Sequence, residues 1–303
     1  MTLRILTPAV LCLAVASAAV ADDAASAARV TGIDAAAMDK SVRPQDDLFR
    51  HVNGTWLANT PFPAEYASAG IGIMLFEKAQ ADVQAILLEA AAAGDKATPG
   101  MQRLGAMYSS FMDEAKVEAR GIEPLKPLFA EIAAIDGPVA LATWFGRAQG
   151  RAISTPLAVY VYPDGRNSTH NVAYVDQDGL GMPNRDYYLK TEEDYVEFRR
   201  KYVDYLAKLL TLAGEADGPA RAAKILALET KLATDQWTPV ANRDPVKTYN
   251  KNSLESATTL APGIDWNAWH AATGLPAGDF VIRQPSYVTS LGTHLAAEDL
   301  ATW

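Results

Sequence analysis

Apolar residues spaced three and four apart recur through most of this 303-residue chain, and nothing else limits its fold so strongly. Over residues 74–93 they place Leu75, Ala79, Val83, Ile86 and Leu87 on one helical stripe, closed by Gly94. Thr98 followed by Pro99 opens a second helix, with Met101, Leu104, Tyr108, Phe111 and Ala115 in step. Thr191 and Asp194 form a capping-box-like start to a third, whose face is Tyr195, Phe198, Tyr202, Leu206, Leu209 and Leu210, stopped by Gly214. Pro219 opens a fourth, with Ile225, Leu228 and Leu232 inward and Trp237 near its end. Such stripes, the aromatic one included, read as faces packed into a core. Only residues 157–162 and 171–175 read as strands, joined by a polar hairpin loop over 163–170; Phe280–Ile282 is a weaker third. The expected fold class is mainly α with a small β hairpin.

The first 21 residues read as an export signal. Arg4 supplies a basic start, residues 5–20 are largely apolar, and Ala19-Val20-Ala21 precedes Asp22 in a small-x-small cleavage pattern. Cleavage after Ala21 is expected, with the mature chain in the periplasm or outside the cell; a retained N-terminal anchor is the other reading of this segment. No other apolar run is long enough to span a membrane. Cys12, the only cysteine, lies in the signal, so a disulfide framework and cysteine-ligated zinc are excluded from the mature chain. Residues 22–45, rich in Ala, Asp and Ser, read as a flexible lead-in. The net charge of −9 and scattered basic residues argue against nucleic acid as a partner.

Catalytic signatures are missing. There is no G-x-S-x-G, no phosphate loop and no dinucleotide glycine fingerprint. Asp176-Gln-Asp178-Gly179 begins like a calcium loop, but Leu180, Met182 and Tyr187 stand where its ligands belong. The four histidines, His51, His170, His270 and His294, include no H-E-x-x-H pair. His294 and Glu298, four apart, read as a solvated pair on one helix face rather than as metal ligands. No catalytic and no metal-ligating residue is assigned, and no cofactor is expected on this chain.

Four segments, in order, carry a family likeness. Asp46-Asp-Leu-Phe-Arg-His-Val-Asn-Gly-Thr-Trp56 resembles the opening D-D-F-x-x-x-V-N-G-x-W of the neprilysin-like zinc metallopeptidases, with Pro61-Phe-Pro63 following where those proteins turn. Gly179-Leu-Gly-Met-Pro-Asn-Arg-Asp-Tyr-Tyr188-Leu is similar to their G-L-G-L-P-D-R-D-Y-Y-L nearly letter for letter. Leu228-Glu-Thr-Lys-Leu232-Ala and Asn242-Arg-Asp-Pro-Val-Lys-Thr-Tyr-Asn250 complete the series. The resemblance implies the helical N-terminal lid region of such a peptidase over residues 46–303. It also implies enzymes that cut short peptides beside apolar residues, outside the cytoplasm, within a closed chamber.

The family's H-E-x-x-H helix, third zinc ligand and acid/base groups lie in a C-terminal half that this sequence does not contain. Residues 298–303 read as the interior of a helix, so the chain is expected to be truncated before the catalytic domain, which is its missing partner. Zinc then belongs to the full-length family and not to this chain. Some members hold a substrate carboxylate with an arginine shortly after N-G-x-W; residues 65–70 here contain none. The motif residues themselves read as structural. Asn53-Gly54 is a turn signal with Trp56 as its buried anchor. Gly179, Gly181 and Pro183 shape a tight loop that Arg185 and Asp186 pin through charge-assisted hydrogen bonds, ahead of Tyr187. Asn242, Arg243, Asp244 and Pro245 form a helix exit. A second function remains open: a stand-alone, non-catalytic helical module that binds peptides or another protein.

Overall fold

The computed structural model describes residues 32–61, 64–66, 68–94 and 97–303. The expected signal and its cleavage site at Ala21 lie outside them, as do Phe62 and Pro63. The chain divides into two compact units, the first ending at Met112 and the second running from Asp113 to Trp303.

Among its described residues the first unit holds three α-helices, α1 (Leu48–Asn59), α2 (Ile71–Ala93) and α3 (Pro99–Phe111). Part of the expected lead-in is tied to α1. Thr55 Oγ1 donates to the Met38 carbonyl at 2.8 Å, the Asp39 amide to His51 O at 2.9 Å, and His51 Nδ1 lies 2.7 Å from Val42 O. Pro99 starts α3 and Thr98 Oγ1 caps it, accepting from the Met101 amide. The stripes on α2 and α3 were expected to be core, and they are not. Leu75 is 60% exposed and Phe111 81%. The reason is local: α2 and α3 meet through buried Ala90 and Gly105, small residues that let the backbones approach but cover little side chain.

The second unit is built around a four-stranded sheet in the order β1-β2-β4-β3, comprising β1 (Leu157–Asp164), β2 (Asn167–Gln177), β3 (Asn250–Asn252) and β4 (Phe280–Ile282). β1 and β2 are antiparallel, and β2 runs parallel to β4, with Val175 opposite Ile282. The expected eight-residue hairpin loop contracts to Gly165-Arg166. Asp164 Oδ1 accepts from the Arg166 amide at 2.8 Å, so the polar residues beyond it enter the ladder instead of looping out. β3 was not anticipated, because Asn-Lys-Asn carries no strand signal and is formed by pairing with β4.

Around the sheet lie α4 (Glu114–Arg120), α5 (Lys126–Ala133), α6 (Pro138–Gln149), the single turn α7 (Asp186–Leu189), α8 (Glu193–Leu212), α9 (Gly218–Asp235), α10 (Leu254–Leu260), α11 (Trp266–Thr273) and α12 (Pro285–Ala297). Trp266, Trp269, Phe280, Tyr287, Leu157 and Leu232 form the centre of the core, with the Trp266 and Phe280 rings stacked 5.7 Å apart. Two helix-end expectations are corrected. Thr191 does not cap α8: the helix starts at Glu193, with Glu192 as a cap that makes no side-chain bond. Residues 298–303 are not helical: α12 ends at Ala297 and a turn follows at 300–302.

Candidate functional site

The Gly179–Tyr188 segment departs from the end of β2 and settles on α9. Gly179 adopts φ +87°, and a Cβ there would lie 2.8 Å from Pro156 Cα. Gly181 faces the hydroxyl of Tyr202, which an added Cβ would meet at 1.9 Å. Pro183 and Asn184 carry the chain into α7, where Asn184 Oδ1 accepts from the Asp186 amide at 2.9 Å. The Tyr187 ring packs between Tyr195 and Phe198 of α8, with centroids 5.3 and 5.4 Å away. Arg199 NH1 donates to the Tyr187 carbonyl at 2.8 Å.

Arg185 bonds to backbone. Its Nε donates to Ala233 O at 3.0 Å and NH2 to Thr234 O at 3.2 Å. These carbonyls belong to the last turn of α9, where a cation also meets the negative helix end. Asp186 does not pin the loop; its carboxylate pairs with exposed Lys190 at 3.1 Å. The residue under the loop is Glu229. Tyr188 OH donates to one carboxylate oxygen at 2.8 Å and Tyr202 OH to the other at 3.0 Å, while the Gly181 amide also donates. Burial raises the Glu229 pKa above the usual carboxylate range, and raises both tyrosines as well. Sequence reasoning passed over Glu229. Its signal was placement: it lies four residues after Ile225 and three before Leu232, on the inward face of α9.

A second polar cluster fixes the other side. Gln284 is fully buried. Its Oε1 accepts from the Gln177 amide at 3.0 Å, and its Nε2 donates to Asp176 Oδ1 at 2.7 Å and to Asn242 Oδ1 at 3.0 Å. Arg283 pairs with Asp176 and donates to Asn242 O. Asp176 is therefore occupied by protein donors. Asp244 Oδ1 accepts from the amides of Val246 and Lys247, which closes a turn after the 3-10 segment Ala241–Arg243. The expected exit from α9 falls earlier, because that helix ends at Asp235. Arg243 is exposed, and no side-chain bond is found for it among the described residues.

Beside them is a cleft of about 270 Å³, lined by Met182, Pro183 and Arg185 of the loop and by Gln236, Trp237 and Asn242. Two of the family-like segments meet there. The Asn53-Gly54-Trp56 segment belongs to the first unit. It is also no turn: Asn53 and Gly54 are inside α1, with Asn53 Nδ2 donating to Phe49 O at 3.0 Å. Gly54 admits Asp39, which an added Cβ would meet at 2.5 Å, and Trp56 is only half-buried.

The residues present do not fit a zinc site. Among the described residues no three His, Cys, Asp or Glu side chains converge to hold a metal. His294 does not pair with Glu298: its Nε2 lies 2.7 Å from Asp235 Oδ2, while Glu298 pairs with Lys231. Glu298 falls just past the end of α12, so the expected shared face does not exist. No helix among the described residues is long and apolar enough to cross a membrane.

This helical chain with a small mixed sheet has the fold of part of a solved zinc metalloprotease. Residues 44–303 match the N-terminal model of peptidase family M13, and the chain belongs to that family. It is 34% identical over 239 residues to endothelin-converting enzyme 1 of Mus musculus, covering 76% of this chain and 30% of that protein. Neprilysin-11 of Caenorhabditis elegans is 27% identical over 251 residues, with coverages of 76% and 29%. The zinc metalloprotease ZMP1 of Mycobacterium tuberculosis, solved with an inhibitor, superposes with a TM-score of 0.79 at 34% identity, covering 90% of this chain and 42% of that one. The chain thus spans less than half the length of each.

Proposed function

We propose that this chain is the N-terminal, substrate-admitting portion of an exported zinc endopeptidase that hydrolyses short peptides, and that alone it neither holds zinc nor cuts peptides. One observation carries the reading: it matches the M13 N-terminal model from residue 44 to residue 303, yet covers 42% of a zinc metalloprotease of that fold. Peptide hydrolysis of this kind needs a metal to polarise the carbonyl and acidify water, and a carboxylate to move the proton. Among the described residues no three His, Cys, Asp or Glu side chains converge to hold such a metal. What this portion contributes is surface and rigidity: helices that limit access, and a clamped loop that keeps its shape.

The test is to purify residues 22–303, measure metal content, and assay an internally quenched peptide with and without added zinc. No stoichiometric zinc and no cleavage are expected. One tightly bound zinc per chain, with cleavage abolished by a chelator, overturns the proposal. N-terminal sequencing of protein from the periplasm or medium should begin at Asp22; Met1 retained on cytoplasmic protein overturns export. Reading the gene beyond codon 303 tests the missing half. An open frame encoding H-E-x-x-H supports the peptidase, and a stop followed by unrelated sequence supports the stand-alone module.

A further inference from the structure

β1 is the first strand of the sheet, so one of its edges has no described strand beside it. The Val159 amide donates to Gln149 Oε1 at 3.2 Å and not to β2, so Val159 and Val175 form a pair of the non-hydrogen-bonded kind. Two residues on, Val161 and Ala173 form the same kind of pair, and the N–H and C=O of Val161 face outward. Gln149, at the end of α6, already meets this edge as a strand would. Its Nε2 donates to Leu157 O at 2.6 Å while its Oε1 takes the Val159 amide. A side-chain amide thus stands where the peptide group of a neighbouring strand would lie. Beyond it, Val159 O and the N–H and C=O of Val161 have no partner among the described residues, and Pro163 ends the run because it has no N–H. Unpaired edge groups of this kind are what an extended chain adds to. Val161 also lines a pocket of about 300 Å³ whose apolar wall includes Ala173, Leu275, Pro276 and Phe280. A residue paired with Val161 on an added strand puts its side chain on this same face. Besides His270, the wall holds one ionisable side chain, exposed Asp279, which has no ion-pair partner among the described residues.

We propose that this edge binds an extended peptide as an added strand, with an apolar residue seated in the pocket beside Val161 and a Lys or Arg two positions away drawn to Asp279. Nothing in the site depends on zinc or on a catalytic half. The experiment titrates the full chain into fluorescein-labelled Thr-Lys-Thr-Leu-Thr-Lys-Thr, amidated at its C-terminus, and follows anisotropy. In a strand paired at the leucine, the leucine N–H faces β1 and those of the flanking threonines face away. N-methylation at the leucine should weaken binding about tenfold or more, by the lost backbone bond and the crowding of a methyl, and N-methylation at a flanking threonine should leave it unchanged. The peptide with Glu in place of Lys should bind several-fold weaker at low salt, and Asp279→Asn should remove that preference. Val161→Pro removes an edge donor that is not part of the ladder and should abolish binding; Val161→Thr keeps the donor and should not. If the proline variant fails to fold, the two N-methylated peptides still decide, since they are read on the unaltered protein. Equal affinity for those two peptides, equal affinity for the Lys and Glu peptides, or no binding at about 1 mM peptide overturns the proposal. So does a dimer of the chain that forms through β1 and excludes the peptide.

Discussion

Glu229 is the residue on which the loop from Gly179 to Tyr188 rests, and its pH behaviour follows from its position. Burial raises its folded pKa above the ordinary 4.5, so the protonated form favours the folded state. Its contribution to stability is therefore fully present below pH ~4.5 and is lost as pH rises through the folded value. The difference in urea midpoint between wild type and Glu229→Gln should shift in favour of wild type as pH falls from 7 toward 4.5. A pH-independent difference would contradict this. Gly181→Ala puts a methyl against a Tyr202 hydroxyl already held by Glu229, and should cost about 2–4 kcal/mol in denaturant unfolding. Arg185→Met keeps the aliphatic stem and loses two bonds to the end of α9, for about 1.5–3 kcal/mol. The motif letters pointed to Arg185 and the glycines because each departs from what a helix face needs. Glu229 was hidden because a glutamate in a helix is ordinary until its neighbours are known.

At the scale of elements, local chemistry was readable and pairing was not. Pro99, Pro219 and Gly214 mark helix ends because they act through their own backbone, whatever surrounds them. β3 depends on β4, a partner well along the chain that no local pattern encodes. Helix α1 shows both sides. Its Asn-Gly pair looks like a turn, but Asp47 caps the segment by accepting from the Arg50 amide at 2.9 Å, and the pair falls inside. Asp47→Ala should destabilise α1 by about 1 kcal/mol, seen as faster amide exchange in its first turns, with α9 unaffected.

For the whole molecule, the first unit leaves Leu75, Phe76, Met107 and Phe111 half or more exposed. A purified chain with that much apolar surface should self-associate or bind a hydrophobic dye strongly, and Met107→Lys with Phe111→Lys should reduce both. A dye-silent monomer would count against the expectation. The second unit carries a different consequence. Its central pairing joins β2 to β4, and Gln284 reaches back 107 residues to close it at Gln177. At about 5–20 residues per second of synthesis, the earlier strand waits roughly 5–20 s for its neighbour to emerge. Until then the hairpin β1–β2 has an unpaired edge, and the pairing that completes the sheet is a contact of high sequence separation. The export we propose, in which a chain is threaded through a membrane before it folds, would be served by that delay, and the time in the unfinished state is when a chaperone would be needed.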